Sequence, residues 1–212
     1  MNMEIGAPVG LGFRAGKGGS VVVGVALDGS EPRIVLSSFL ATAAEGDRLS
    51  LEPYQVAAEM ERGPDGRASA QAAAVVAEGR RRQDALALAG LEAIVATLRG
   101  GGYIPIVAAL LLNRAGWISD LLDYSLAFAD HPPVAEGLAV RDALRFACGR
   151  IGLAVVEMDE KSLPALASQD LRHEPVNLDA HLKALGATAG KPWRKEQRAA
   201  CLAAWVAVAA RR

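Results

Sequence analysis

The run Tyr103–Leu112 (YIPIVAALLL) carries no charge and almost no polarity. A strand with one face in water alternates apolar and polar residues. A run that is apolar throughout fits a strand covered on both faces. Such a strand needs helices above and below it, which confines the chain to the layered α/β class.

The segments around it supply those layers. Residues 1–19 are glycine-rich and read as an N-terminal lead-in. Ser20–Leu27 (SVVVGVAL) is a β-branched run and predicts a buried strand. Asp28-Gly29-Ser30-Glu31-Pro32 is a turn, and Arg33–Thr42 is the return strand of a hairpin. A short third strand is expected over Arg48–Leu51. From Pro53 to Leu98 the pattern is helical, broken at Gly63-Pro64-Asp65-Gly66 and ended by Gly100-Gly101-Gly102. Ile118–Phe128 predicts a short helix. Another starts at Asp130-His131-Pro132-Pro133 and runs to about Gly149–Gly152. Leu153–Met158 is a strand, residues 159–192 are short helices and loops inserted before the end, and Trp193–Ala210 is the closing helix. The order suits one domain over 1–212. A hairpin followed by alternating strands and helices resembles the mixed sheet of ribonuclease H-like domains, a fold analogy that carries no activity.

The bulk numbers exclude several classes. Hydrophobic residues make up 51% of the chain and aromatics only 5%, so layers packed through alanine are expected. A net charge of -1 argues against a generally basic nucleic-acid-coating surface, while a local basic cleft leaves nucleic acid open as a partner. Cys148 and Cys201 stand far apart in apolar patterns and read as buried thiols in a reducing compartment. With no CxxC pair and three scattered histidines, a structural zinc site is not expected. The apolar runs Ile104–Leu112 and Ala199–Ala210 are too short to span a bilayer, and Met1-Asn2-Met3-Glu4 opens no secretory signal. The cytoplasm is the expected location.

Four islands carry a more specific resemblance: Gly12-Phe13-Arg14 with Lys17, Pro53-Tyr54, the run from His131 through Glu136 to Arg141 (HPPVAEGLAVR), and Gly190-Lys191-Pro192-Trp193-Arg194-Lys195-Glu196-Gln197. They resemble a bacterial protein family with a ribonuclease H-like fold, marked by a GFRxK opening, a PYH after the hairpin and an HxxAxEGxxFR helix start. Gln55 stands where that family carries histidine, Val140 replaces the aromatic before the arginine, and Lys17 is displaced by one position. The resemblance implies the fold and names no reaction.

Nucleases of this fold hold two divalent metals on carboxylates from the first strand, a later strand or helix, and the closing helix. Asp28 is the acid nearest the first expected strand, and reads as a ligand or as a plain Asp-Gly hairpin residue. The central strand runs into Asn113 without a carboxylate, and Glu196 opens the last helix. No complete acidic set is evident, so no metal ligand is assigned.

A second constellation lies in the helix after His131. With Val140, Leu144, Ala147 and Ile151 as the buried stripe, Glu136 falls about 40° from Val140. A carboxylate in line with a core face must be partnered or line a cleft. His131, Glu136 and Arg141 therefore form a candidate pocket, against the reading of a first-turn acid, a helix cap and a solvated arginine. Lys195 falls about 20° from Leu202 on the apolar stripe of the last helix, where it would meet an acid or, with Lys191, an anion. The Gly10–Ser20 stretch lacks the spacing of a phosphate loop, and Arg80-Arg81-Arg82 reads as a solvated helix face.

Three functions stay open. One is a ribonuclease H-like protein without a complete two-metal site, acting in binding or assembly. The second is a metal-dependent phosphodiester or phosphoryl hydrolase using Asp28, Glu136 and Glu196, with His131 as acid or base; only this reading calls for a divalent metal. The third is a small-anion-binding protein using Arg14, Lys17, Arg141 and Lys195.

Overall fold

Three strands precede the first helix. The computed structural model describes residues 6–112, 118–128, 133–171 and 175–211. Strand β1 (Ala7–Gly16) turns at Lys17-Gly18 into β2 (Gly19–Asp28), and Gly29-Ser30 turns β2 into β3 (Glu31–Ala41). Helices α1 (Arg48–Leu51), α2 (Pro53–Ala58) and α3 (Ala70–Gly100) follow, then β4 (Tyr103–Leu112). The chain continues through α4 (Leu121–Ala127), α5 (Pro133–Ile151), β5 (Val155–Asp159), α6 (Leu163–Asp170), α7 (Pro175–Ala189) and α8 (Lys195–Ala209). The sheet order is β3-β2-β1-β4-β5, antiparallel through the first three strands and parallel from β1 to β4 to β5.

The segment expected as a lead-in is therefore, from Ala7, the central strand of the sheet. Its pattern is Val9-Gly10-Leu11-Gly12-Phe13, an alternation in which glycine takes the place of the second apolar face. Val9, Leu11 and Phe13 are buried against α3 and α5, in a core with Leu91, Leu98, Val140, Leu144 and Ala147. On the opposite face α8 lies directly on the glycines. A Cβ at Gly12 would stand 1.8 Å from the carbonyl oxygen of Ala200, and one at Gly10 would stand 2.5 Å from that of Ala204. Only glycine on the strand allows this approach.

Strand β4 serves both layers, as its composition requires. Ala108 and Leu110 pack toward α3 and α5, while Val107, Ala109 and Leu111 pack toward α8. Pro105 lies within β4, and the β1–β4 register shifts beside its partner Val9. A proline has no N–H for the ladder, and a bulge there accommodates it. Pro32 is tolerated at the start of β3 because β3 is an edge strand. Segment 159–192 is more than an insertion. Leu163 and Ala167 of α6 and Leu178 and Leu182 of α7 are buried with Trp205 in the α8 core.

The strand expected over Arg48–Leu51 is helix α1. The Asp47 carboxylate caps it by accepting from the Leu49 N–H at 3.1 Å, which fixes a turn where hydropathy alone suggests extension. Cys148 and Cys201 are free and buried, one in each core, and burial pushes their thiols up to about 11 and about 12. Among the described residues no helix is long and apolar enough to cross a membrane.

Gly12→Ala is expected to cost about 3 kcal/mol or more, since the methyl must displace helix backbone. Gly149→Ala, on α5 with nothing within 4 Å of its added Cβ, is expected to be neutral or to gain up to about 1 kcal/mol of helix propensity. Urea denaturation of the two variants checks both; equal midpoints would refute the close-approach account.

Candidate functional site

The parallel strands β1, β4 and β5 end at one edge of the sheet, and α5 and α8 begin near it. Side chains from three of the four islands of the resemblance lie at or near this edge, and the fourth, Pro53-Tyr54, is joined to it through Glu136. Arg14 comes from the end of β1 and Lys17 from the β1–β2 turn. Glu136 and Arg141 lie in the N-terminal half of α5, and Glu196 in the first turn of α8. Tyr54 and Gln55 belong to α2.

Arg14 is tied to two carboxylates. Its Nε donates to both oxygens of Glu160 at 3.1 and 3.2 Å, and its Nη1 lies 3.7 Å from Glu196. Lys17 pairs with Glu52, which also accepts from Arg48 Nε at 2.6 Å. Arg48 first and Lys17 second hold the Glu52 carboxyl below its usual range. Glu52 and Glu160 did not stand out in the sequence. Each lies just past the end of an element, and only the chain fold gives it its distant cation.

Glu136 is fully buried. Its Oε1 accepts from the backbone N–H groups of Tyr54 at 3.0 Å and Gln55 at 2.9 Å. It thereby caps α2, which has no side-chain cap of its own. Its Oε2 is buried without a hydrogen-bond partner among the described residues. Burial raises the carboxyl to about 7, and the two N–H bonds pull against that rise. Arg80 Nη1 donates to the Tyr54 hydroxyl at 3.0 Å and its Nη2 to Asp142 at 3.0 Å, while Arg145 Nη1 holds the other oxygen of Asp142 at 2.6 Å. Arg80 therefore faces inward, unlike the solvated face expected of it. Arg81 pairs with Glu78, and Arg82 with Glu78 and Asp47.

Arg141 differs from every cation around it. It is 5% exposed, its Nε is buried without a partner, and no hydrogen bond or ion pair joins it to a described residue. Burial pulls its pKa down, helped by the like charge of Arg145 and opposed by Glu160. Glu136 thus binds α2, whereas Arg141 bonds to no described residue.

The remaining candidates lie elsewhere. Asp28 closes the far end of β2 from Val21, the register partner of Arg14, roughly 23 Å away at the rise of a strand. A single cleft shared by Asp28, Glu136 and Glu196 is therefore ruled out, because β2 runs antiparallel to β1. Lys195 is exposed at the start of α8 and does not join the buried stripe. His131 lies outside the described residues. Strand β1 holds Arg14 and no carboxylate, and among the described residues no three of His, Cys, Asp or Glu gather as a metal-ligand group. These residues do not fit a pair of divalent metals.

The fold raises the Glu136 carboxyl from 4.5 to about 7, so the folded chain holds this proton more tightly than the unfolded chain. The resulting stabilisation is complete below the unfolded value and is lost as pH rises through about 7. Its ceiling is about 3 kcal/mol. Glu136→Gln keeps an acceptor oxygen for the α2 N–H groups and has no proton to lose. Between about pH 5 and about pH 8 the native chain is expected to lose stability relative to Glu136→Gln. Urea unfolding at the two pH values checks this, and parallel losses in both proteins would refute it.

No protein-family model and no curated protein matches the chain. Solved structures do. Thermus thermophilus RuvC in complex with a Holliday junction substrate aligns with a TM-score of 0.52 and 12% identity, over 98% of this chain and 95% of that one. A second Thermus thermophilus RuvC structure gives 0.52 and 12% over 96% and 95%. RuvC is a nuclease of the ribonuclease H-like fold, and the likeness shows that fold for this chain: a mixed five-stranded sheet, opened by an antiparallel hairpin and flanked by helices.

Proposed function

We propose that this chain is a ribonuclease H-like binding protein of the bacterial family its four islands resemble, with its ligand site at the carboxyl edge of β1, β4 and β5. The observation that carries the reading is Arg14. Where a two-metal nuclease needs a free carboxylate on the first strand, β1 presents a guanidinium that engages both Glu160 and Glu196. A cation fixed there repels divalent ions and occupies the carboxylates that would hold them. The convergence of three of the four islands at or near this edge, with the fourth joined to it through Glu136, supports a site built for something other than core packing. The two buried free thiols suit a reducing compartment such as the cytoplasm.

The RuvC structure is described with a Holliday junction substrate, so branched DNA is the informative nucleic acid to try. The purified chain is expected to leave four-way junction DNA, single-stranded DNA and RNA uncut with Mg²⁺ or Mn²⁺. Cleavage that disappears in Glu160→Gln or Glu196→Gln would overturn the reading in favour of a metal-dependent hydrolase.

A further inference from the structure

A buried guanidinium is a liability that a fold rarely carries alone. Carboxylates and lysines escape burial by changing protonation, but an arginine stays charged. The other half-buried cations described above each hold at least one carboxylate. Arg14 has Glu160 and Glu196, Lys17 has Glu52, and Arg80 and Arg145 share Asp142. Those acids are engaged, and none bonds to Arg141. Leaving a desolvated charge unpaired costs stability, and no described residue pairs with this one, so a partner from beyond them is called for.

We propose that Arg141 is the binding group for the oxyanion, phosphate or carboxylate, of a small ligand. The inference rests on the binding reading above and names the ligand class. A guanidinium presents a planar fork of N–H donors that matches either group in bidentate fashion. With 5% of the residue exposed, only an end group reaches it, not the backbone of a duplex. Arg14 and Arg145 add positive potential at the same place, and their effect on Arg141 is repulsive. An arriving anion relieves that repulsion as well as the missing pair.

The test is thermal denaturation of the full chain, of Arg141→Gln and of Arg141→Lys. Each is measured in an oxyanion-free chloride buffer and then titrated separately with inorganic phosphate and with acetate. Either oxyanion is expected to raise the melting temperature of the native chain saturably. Arg141→Gln is expected to abolish the rise, and Arg141→Lys to weaken apparent binding at least about tenfold, because a point charge replaces the fork. The response to phosphate against acetate identifies the group. Adding 5′-phosphorylated and 5′-hydroxyl oligonucleotides separates a nucleic-acid end from a free small ligand.

In the oxyanion-free buffer Arg141→Gln is expected to melt no lower than the native chain, since it removes an unpaired buried charge. A lower melting temperature there would reveal a partner within the fold and overturn the proposal. So would equal oxyanion shifts in the native and Gln proteins, or no shift from either oxyanion in the native chain. If nuclease activity appears while the Arg141-dependent shift persists, the binding reading falls and this inference stands. No shift together with no cleavage reverses that outcome.

Discussion

The contact between α8 and β1 governs the rest. Two glycines on a central strand let a helix rest its carbonyls almost against the sheet. The partner positions, Ala200 and Ala204, are as small as a helical residue can be without losing helix propensity. This closeness sets strand backbone against helix backbone, with Val208 Cβ the one side-chain atom among the nearest contacts of the two glycines, so much of the local fit is backbone against backbone. It also sets the height of α8 above the sheet. Glu196, at the start of that helix, meets Arg14, at the end of that strand, because the two backbones are held together a few residues away. A bulkier pair would lift the helix and carry Glu196 out of reach.

The charge pattern at the carboxyl edge follows from where elements end. Strand ends and helix starts are where polar side chains are admitted, and the parallel arrangement of β1, β4 and β5 brings three such ends together. In this chain most of the resulting charges satisfy each other. Arg14 holds Glu160 and Glu196, Lys17 holds Glu52, and Arg80 and Arg145 share Asp142, with Glu157 also on Arg145. Among the described residues, Glu136 Oε2 and Arg141 Nε are buried without a partner, and Arg141 is the one cation of this group that makes no bond at all.

Much of the fold was legible because periodicity is a local signal. The β2–β3 hairpin, the all-apolar β4 and the closing helix each announce themselves within ten or so residues. Strand β1 did not, although its alternation of Val, Leu and Phe with glycine is present. Glycine breaks the apolar count on which strand recognition depends, and its meaning appears only when a helix is laid across it. Arg48–Leu51 misled in the opposite way. Its apolar residues suit a strand, and a single carboxylate at Asp47 decides for a helical turn. At the site, Glu136 was legible from its position beside the buried stripe of α5. Its role was not, because the N–H groups it accepts from are about eighty residues away in the chain. Glu160 and the inward Arg80 depend in the same way on pairing at long range.

The placement of the two cysteines has a practical side. Cys148 lies within α5 and Cys201 within α8, so each helical layer encloses one thiol. A buried thiol with a raised pKa does not react with alkylating reagents until its surroundings open. The native chain therefore carries two internal clocks. The alkylation rate of Cys201 times the separation of α8 from the glycine face of β1, and that of Cys148 times the opening of the opposite layer, with no label or mutation introduced.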